Sequence, residues 1–124
     1  MKLWILLTLF AATAWRVPLC AGARTIFLDS GQMVRILVRP GRTVILNFPT
    51  TPGDFVLGGD DLFSIKHIKN DLAIGALRST AQSNLFVYLE GRRFGFELET
   101  AAVGWDEIVN IRDPSEIKMK VHLK

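Results

Sequence analysis

At 124 residues the chain has room for one domain and not two. Its 15 lysines and arginines are interspersed with 12 acidic residues and form no basic block, so the charge pattern implies no nucleic-acid or other polyanion partner. A single cysteine, Cys20, excludes a disulfide framework.

The first element is a signal. Met1-Lys2 supplies a positive start, and Leu3 to Trp15 is apolar except for Thr8 and Thr13. As a helix this run would rise about 20 Å at ~1.5 Å per residue, short of the roughly 30 Å hydrocarbon core. Arg16 and Pro18 end it, and Ala21-Gly22-Ala23 has the small-x-small form that signal peptidase cuts after. Val17-Pro18-Leu19 does not fit the small residues that precede a lipidated cysteine. Residues 1–23 therefore read as a cleaved signal peptide and 24–124 as the mature domain, with no membrane span. Losing Lys2 and Arg16 leaves 13 basic against 12 acidic side chains, a charge of +1, and Cys20 departs with the signal. Stability must then come from the core and from neighbours.

From Thr25 onward the period is two. Val34, Ile36 and Val38 alternate with Arg35, Leu37 and Arg39. After the Pro40-Gly41 turn, Val44, Leu46 and Phe48 alternate with Thr43, Ile45 and Asn47. Thr50-Thr51-Pro52-Gly53 breaks the chain before Asp54 to Leu57, which ends at Gly58-Gly59. Further strands are expected at Phe63 to Ile68, Asp71 to Leu77, Asp106 to Ile111 and Ile117 to Leu123. Between them, Leu85, Val87 and Leu89 lead into Glu90-Gly91, and Arg92, Phe94, Phe96 and Leu98 return. This is a hairpin in which Gly91 can supply the positive φ of a tight turn. Turn signals every 8–12 residues, one apolar face per strand and no helical period predict an all-β, antiparallel β-sandwich-like single domain. Leu37, Ile45, Phe86 and Tyr88 run out of phase with the stronger apolar rows. They are either covered internally or form a patch for a partner.

The chain offers little chemistry. His67 and His122 lack metal-ligand spacing, and the mature chain has no cysteine to join them. Asp60-Asp61 lacks the ligand count and spacing of a calcium loop. Ser30, Ser64, Ser79, Ser83 and Ser115 sit in no nucleophile elbow, and the glycines form no phosphate cradle. Glu97 and Glu99 share a strand face about 7 Å apart at ~3.4 Å per residue. Glycosidase chemistry is conceivable for such a pair, but solvation explains it with fewer assumptions. No catalytic, cofactor-binding or metal residue is assigned, and the chain is read as a non-enzyme.

Ser83-Asn84-Leu85, Val87, Arg92, Phe94 and Phe96-Glu97-Leu98 resemble a hallmark of the CagX/TrbG family of periplasmic subunits in type IV secretion and conjugation core complexes. In that family a Thr-Asn-hydrophobic step opens one strand and Arg-x-Tyr-x-Phe-x-Leu forms the next. Ser83 stands here for the threonine and Phe94 for the tyrosine. Gly59-Asp60 with Phe63 and Ile65 resembles the family's Gly-Asp step and following strand. Asn70-x-Leu72-x-Ile74 resembles the next segment, although Gly75-Ala76 replaces the usual Lys-Pro. The resemblance spans about Thr25 to Leu98 and implies an N-terminal-type domain, without the second β domain that contributes to the family's outer-membrane ring. It also implies a non-catalytic periplasmic component of an outer-membrane-associated complex, whose partners are other secretion-system envelope subunits and copies of itself. The alternative is a stand-alone periplasmic binding module or inhibitor that recognises a peptide, sugar or enzyme through the face bearing Phe86 and Tyr88.

Overall fold

Alternation by two gives most strands one face to bury, and the chain folds so that those faces meet between two sheets. The computed structural model describes residues 22–29 and 31–114. The expected signal segment up to Ala21, Ser30, Ser115, His122 and the expected strand Ile117 to Leu123 lie outside the described residues.

Nine strands are described: β1 (Ala23–Phe27), β2 (Met33–Val38), β3 (Thr43–Asn47), β4 (Phe55–Leu57), β5 (Phe63–Ile68), β6 (Asp71–Ala76), β7 (Gln82–Leu89), β8 (Arg92–Thr100) and β9 (Ile108–Arg112). One sheet runs β1-β9-β3-β6-β5 and the other β2-β8-β7-β4. The domain is an all-β sandwich. β1 is not among the strands that alternation picks out, because only Ile26 within it is even half-buried.

The sheets are mixed, a correction to the purely antiparallel pairing expected above. The hairpins β5–β6 and β7–β8 are antiparallel, as short turns require. β1–β9, β3–β9 and β2–β8 are parallel. In each parallel pair the chain makes an excursion through the other sheet before returning, which lets it re-enter in the same direction. The Pro40-Gly41 turn illustrates this: it carries the chain from β2 in one sheet to β3 in the other, closed by Arg42 N–H donating to the Arg39 carbonyl at 3.0 Å.

The core is made of the apolar rows read from the sequence. Ile36 and Val38, Val44, Leu46 and Phe48, Leu72 and Ile74, Leu85 and Val87, and Phe96 and Leu98 are all buried. Phe48 and Phe96 meet across the sheets, ring centroids 6.2 Å apart at an interplanar angle of 83°, an edge-to-face contact. At the β7–β8 turn both Glu90 (φ 50°) and Gly91 (φ 75°) are left-handed, the requirement of the two-residue turn whose twist matches the flanking strands.

Candidate functional site

With Leu85, Val87, Phe96 and Leu98 committed to the core, the alternate residues of the same strands must face outward. Register places them in rows. Val56 of β4 opposes Phe86 of β7, Phe86 opposes Gly95 of β8, and Gly95 opposes Met33 of β2. Tyr88 opposes Arg93 in the next row. Met33 is 47% exposed, Val56 54% and Tyr88 39%, so an apolar patch crosses the outer face of the four-stranded sheet. Gly95 makes the patch continuous: a Cβ there would run into the Met33 thioether and press on the Phe86 ring, so the absent side chain lets these two lie over the strand. Val56, Phe86, Tyr88 and Arg93 line a cleft of about 280 Å³, with the Arg93 guanidinium 5.9 Å from the Phe86 ring centroid.

The patch gathers only part of what the sequence offered. Phe86 and Tyr88 fall together, but Ile45 lies on the outer face of the five-stranded sheet, opposite Ala73 and Ile108. Leu37 is half-buried beside Arg24, Arg35 and Asp106. Met33 and Val56 were not singled out in the sequence. Val56 sits in a strand only three residues long, and Met33 is one residue beyond the alternating row that begins at Val34. Only the register brings them to Phe86.

Asp106 is the one buried charged residue among those described, and no sequence signal marks it. Its carboxylate accepts Arg24 Nε at 2.7 Å and Nη2 at 3.0 Å, and the Leu37 N–H at 2.9 Å. The Asp106 N–H donates in return to the Leu37 carbonyl at 2.9 Å, and Arg24 Nη2 also donates to the Arg35 carbonyl at 2.9 Å. These bonds close the free edge of β2 and tie it to β1 in the other sheet. Nearby, Trp105 is buried beneath the Arg39 guanidinium, which lies 4.1 Å from its ring centroid. Both features are structural clamps.

The remaining candidates are dispersed. Glu99 pairs with Arg35 at 3.3 Å on the outer face, in a row beside Glu97. His67 is exposed on β5, its Nε2 2.8 Å from the Lys69 carbonyl. Asp60 and Asp61 are exposed in the turn after Gly59, with Asp61 4.0 Å from Arg78. Ser83 Oγ accepts the Gly59 N–H at 2.8 Å. Among the described residues no three His, Cys, Asp or Glu side chains gather where they would hold a metal ion. No helix among them is long and apolar enough to cross a membrane. A second cavity, of about 190 Å³, opens at the hairpin end between Pro49, Leu89, Phe94 and Ile111.

Of the residues that carried the family resemblance, many belong to the core rows, and others make two local contacts. Gly58 N–H donates to the Asn84 carbonyl at 3.0 Å, and a Cβ on Gly58 would collide with the Asn84 side chain, so Gly58-Gly59 docks tightly on Ser83-Asn84. At the hairpin end, Arg92 pairs with Asp113 and lies 3.7 Å from Asp29, with its guanidinium 5.0 Å from the Phe94 ring centroid. It joins β8 to the far ends of β9 and β1. No family model and no curated protein matches this chain.

Proposed function

We propose that this chain is a non-catalytic assembly module that works through protein–protein contact on the outer face of its four-stranded sheet. The observation that carries the reading is the patch of Met33, Val56, Phe86 and Tyr88: apolar, continuous across all four strands, and left open by the rest of the described chain. Apolar patches of this kind, rimmed here by Arg93, Arg35 and Glu97, mark interaction sites. The finer proposal rests on the motif resemblance. It makes the chain a periplasmic subunit of a type IV secretion or conjugation-like envelope complex, in contact with other subunits and with copies of itself. The rival, a binding module for a peptide, sugar or enzyme, uses the same face. The cleft of about 280 Å³ falls just below the ~300–1,000 Å³ typical of small-ligand pockets, which favours a flat macromolecular partner.

The test is gentle detergent extraction of envelopes carrying the tagged full chain, followed by size separation and identification of co-migrating proteins. The proposal expects a large particle containing secretion-channel subunits, which the double variant Met33→Glu/Tyr88→Glu leaves while keeping its folded spectrum. A monomer-sized species in the soluble fraction, with or without the substitutions, overturns it.

A further inference from the structure

A β-sandwich has four sheet edges, and each exposes main-chain donors and acceptors that invite pairing unless something blocks them. β2 is closed by Asp106 and Arg24, as described. β1 presents exposed Arg24 and Thr25, and β5 presents exposed Ser64, Lys66 and His67. The fourth edge, β4, is only three residues long, with no charged residue within it and no side-chain clamp among the described residues.

The hydrogen bonds of β4 show which of its groups are left over. Tyr88 N–H donates to the Asp54 carbonyl at 2.9 Å, and Gly58 N–H to the Asn84 carbonyl at 3.0 Å. In an antiparallel ladder the bonded residues alternate, so Asp54, Val56 and Gly58 face β7, while the N–H and C=O groups of Phe55 and Leu57 point away from it. No described backbone group pairs with them. Phe55, whose side chain is on the core side, is still 37% exposed, and among the described residues no strand lies beyond it. The edge is short and apolar, bonded on one side by β7, and at its start the Gly53 N–H also donates to the Tyr88 carbonyl at 2.8 Å.

The charged residues that flank it in the sequence are acidic. Asp54 precedes the strand, Asp60 and Asp61 follow it, and Glu90 lies at the adjoining turn, all exposed. Asp61 alone of these is within ion-pair distance of a cation among the described residues, Arg78 at 4.0 Å, while Arg93 lines the cleft beside Val56. A second copy of β4 pairing across a two-fold axis would set Asp54 beside the Gly58–Asp60 end of its partner, acid against acid. A strand carrying lysine or arginine meets no such cost.

We propose that the open edge of β4 is a docking site for an extended segment of a partner protein in which apolar and basic residues alternate, added as a fifth strand to the four-stranded sheet. Main-chain bonds to Phe55 and Leu57 supply affinity, the apolar row covers Phe55 and Leu57, and the basic row meets Asp54 and Asp60. The inference rests on the protein–protein reading above and specifies the partner's chemistry.

The experiment uses the full chain and two capped seven-residue peptides, one alternating valine with lysine and one alternating valine with glutamate. Amide hydrogen exchange at Phe55 and Leu57 is followed by NMR. The valine–lysine peptide is expected to slow exchange at both amides at least about tenfold and to bind at least about tenfold more tightly than the valine–glutamate peptide. The variant Asp54→Lys/Asp60→Lys, altered only at exposed positions, should invert that preference. Equal binding of the two peptides, no protection at Phe55 and Leu57, or protection of both amides before any peptide is added overturns the proposal. If the edge fails but Met33→Glu/Tyr88→Glu still disperses the envelope particle, the assembly reading stands without this site. If the peptides dock but no particle exists, that reading falls by itself.

Discussion

Replacing Asp106 with alanine tests whether one buried carboxylate holds the two sheets together at the β2 edge. The side chain is 4% exposed and receives three hydrogen bonds, two from Arg24 and one from the Leu37 N–H. Losing it leaves the Leu37 N–H without its acceptor, which costs about 1–3 kcal/mol for a buried donor. The Arg24 share is smaller: its side chain is 40% exposed and can turn to water, so that loss is discounted to about 1 kcal/mol or less. The sum is about 1–4 kcal/mol. In a domain of this size each kcal/mol moves the melting temperature by about 4–8 °C, so a drop of roughly 5–30 °C is expected. Urea unfolding of the wild type, Asp106→Ala, Arg24→Ala and the double variant measures both the loss and the Arg24–Asp106 coupling. The double variant should be little worse than Asp106→Ala alone. A loss under about 0.5 kcal/mol for Asp106→Ala, the size of an ordinary surface change, would show that the carboxylate does not hold this edge.

Two further expectations follow from the faces of β8 and from the start of β1. Phe96 is fully buried against Phe48 and Glu99 is a partly exposed partner of Arg35, so Phe96→Ala should cost about 3–5 kcal/mol and Glu99→Ala about 1 kcal/mol or less. Similar urea midpoints for the two would mean that the faces are wrongly assigned. The exported chain should begin at Arg24, which keeps the Asp106 clamp while giving up the Gly22 carbonyl that accepts the Glu107 and Ile108 N–H groups at 3.3 and 3.4 Å. Intact-mass measurement of the secreted material checks this, and a retained Met1 in the membrane fraction would refute the cleavage.

Local pattern determined a good deal by itself. Strict alternation in Val34–Val38, Val44–Phe48, Leu85–Leu89 and Phe94–Leu98 fixes which side chains enter the core, because neighbouring side chains on a strand point to opposite faces whatever the strand pairs with. Glu90-Gly91 determined its hairpin, since a two-residue turn leaves the flanking strands no choice but to pair. Sequence alternation says nothing, however, about which distant strands become neighbours. The parallel pairing of β2 with β8 and of β1 and β3 with β9 was decided in three dimensions, where excursions through the opposite sheet bring the chain back in the same direction. That pairing sets Met33 over Gly95 beside Phe86 and builds a patch whose members are far apart in the chain. It sends Ile45 to the other side of the molecule and leaves β4, read in the sequence only as the short run Asp54 to Leu57, at an edge of the described sheet. Asp106 was equally invisible, one acid among 12 in the chain, until the fold buried it between Arg24 and Leu37. Burial faces follow from local geometry; rows, edges and clamps depend on register between segments that meet only when the whole chain has folded.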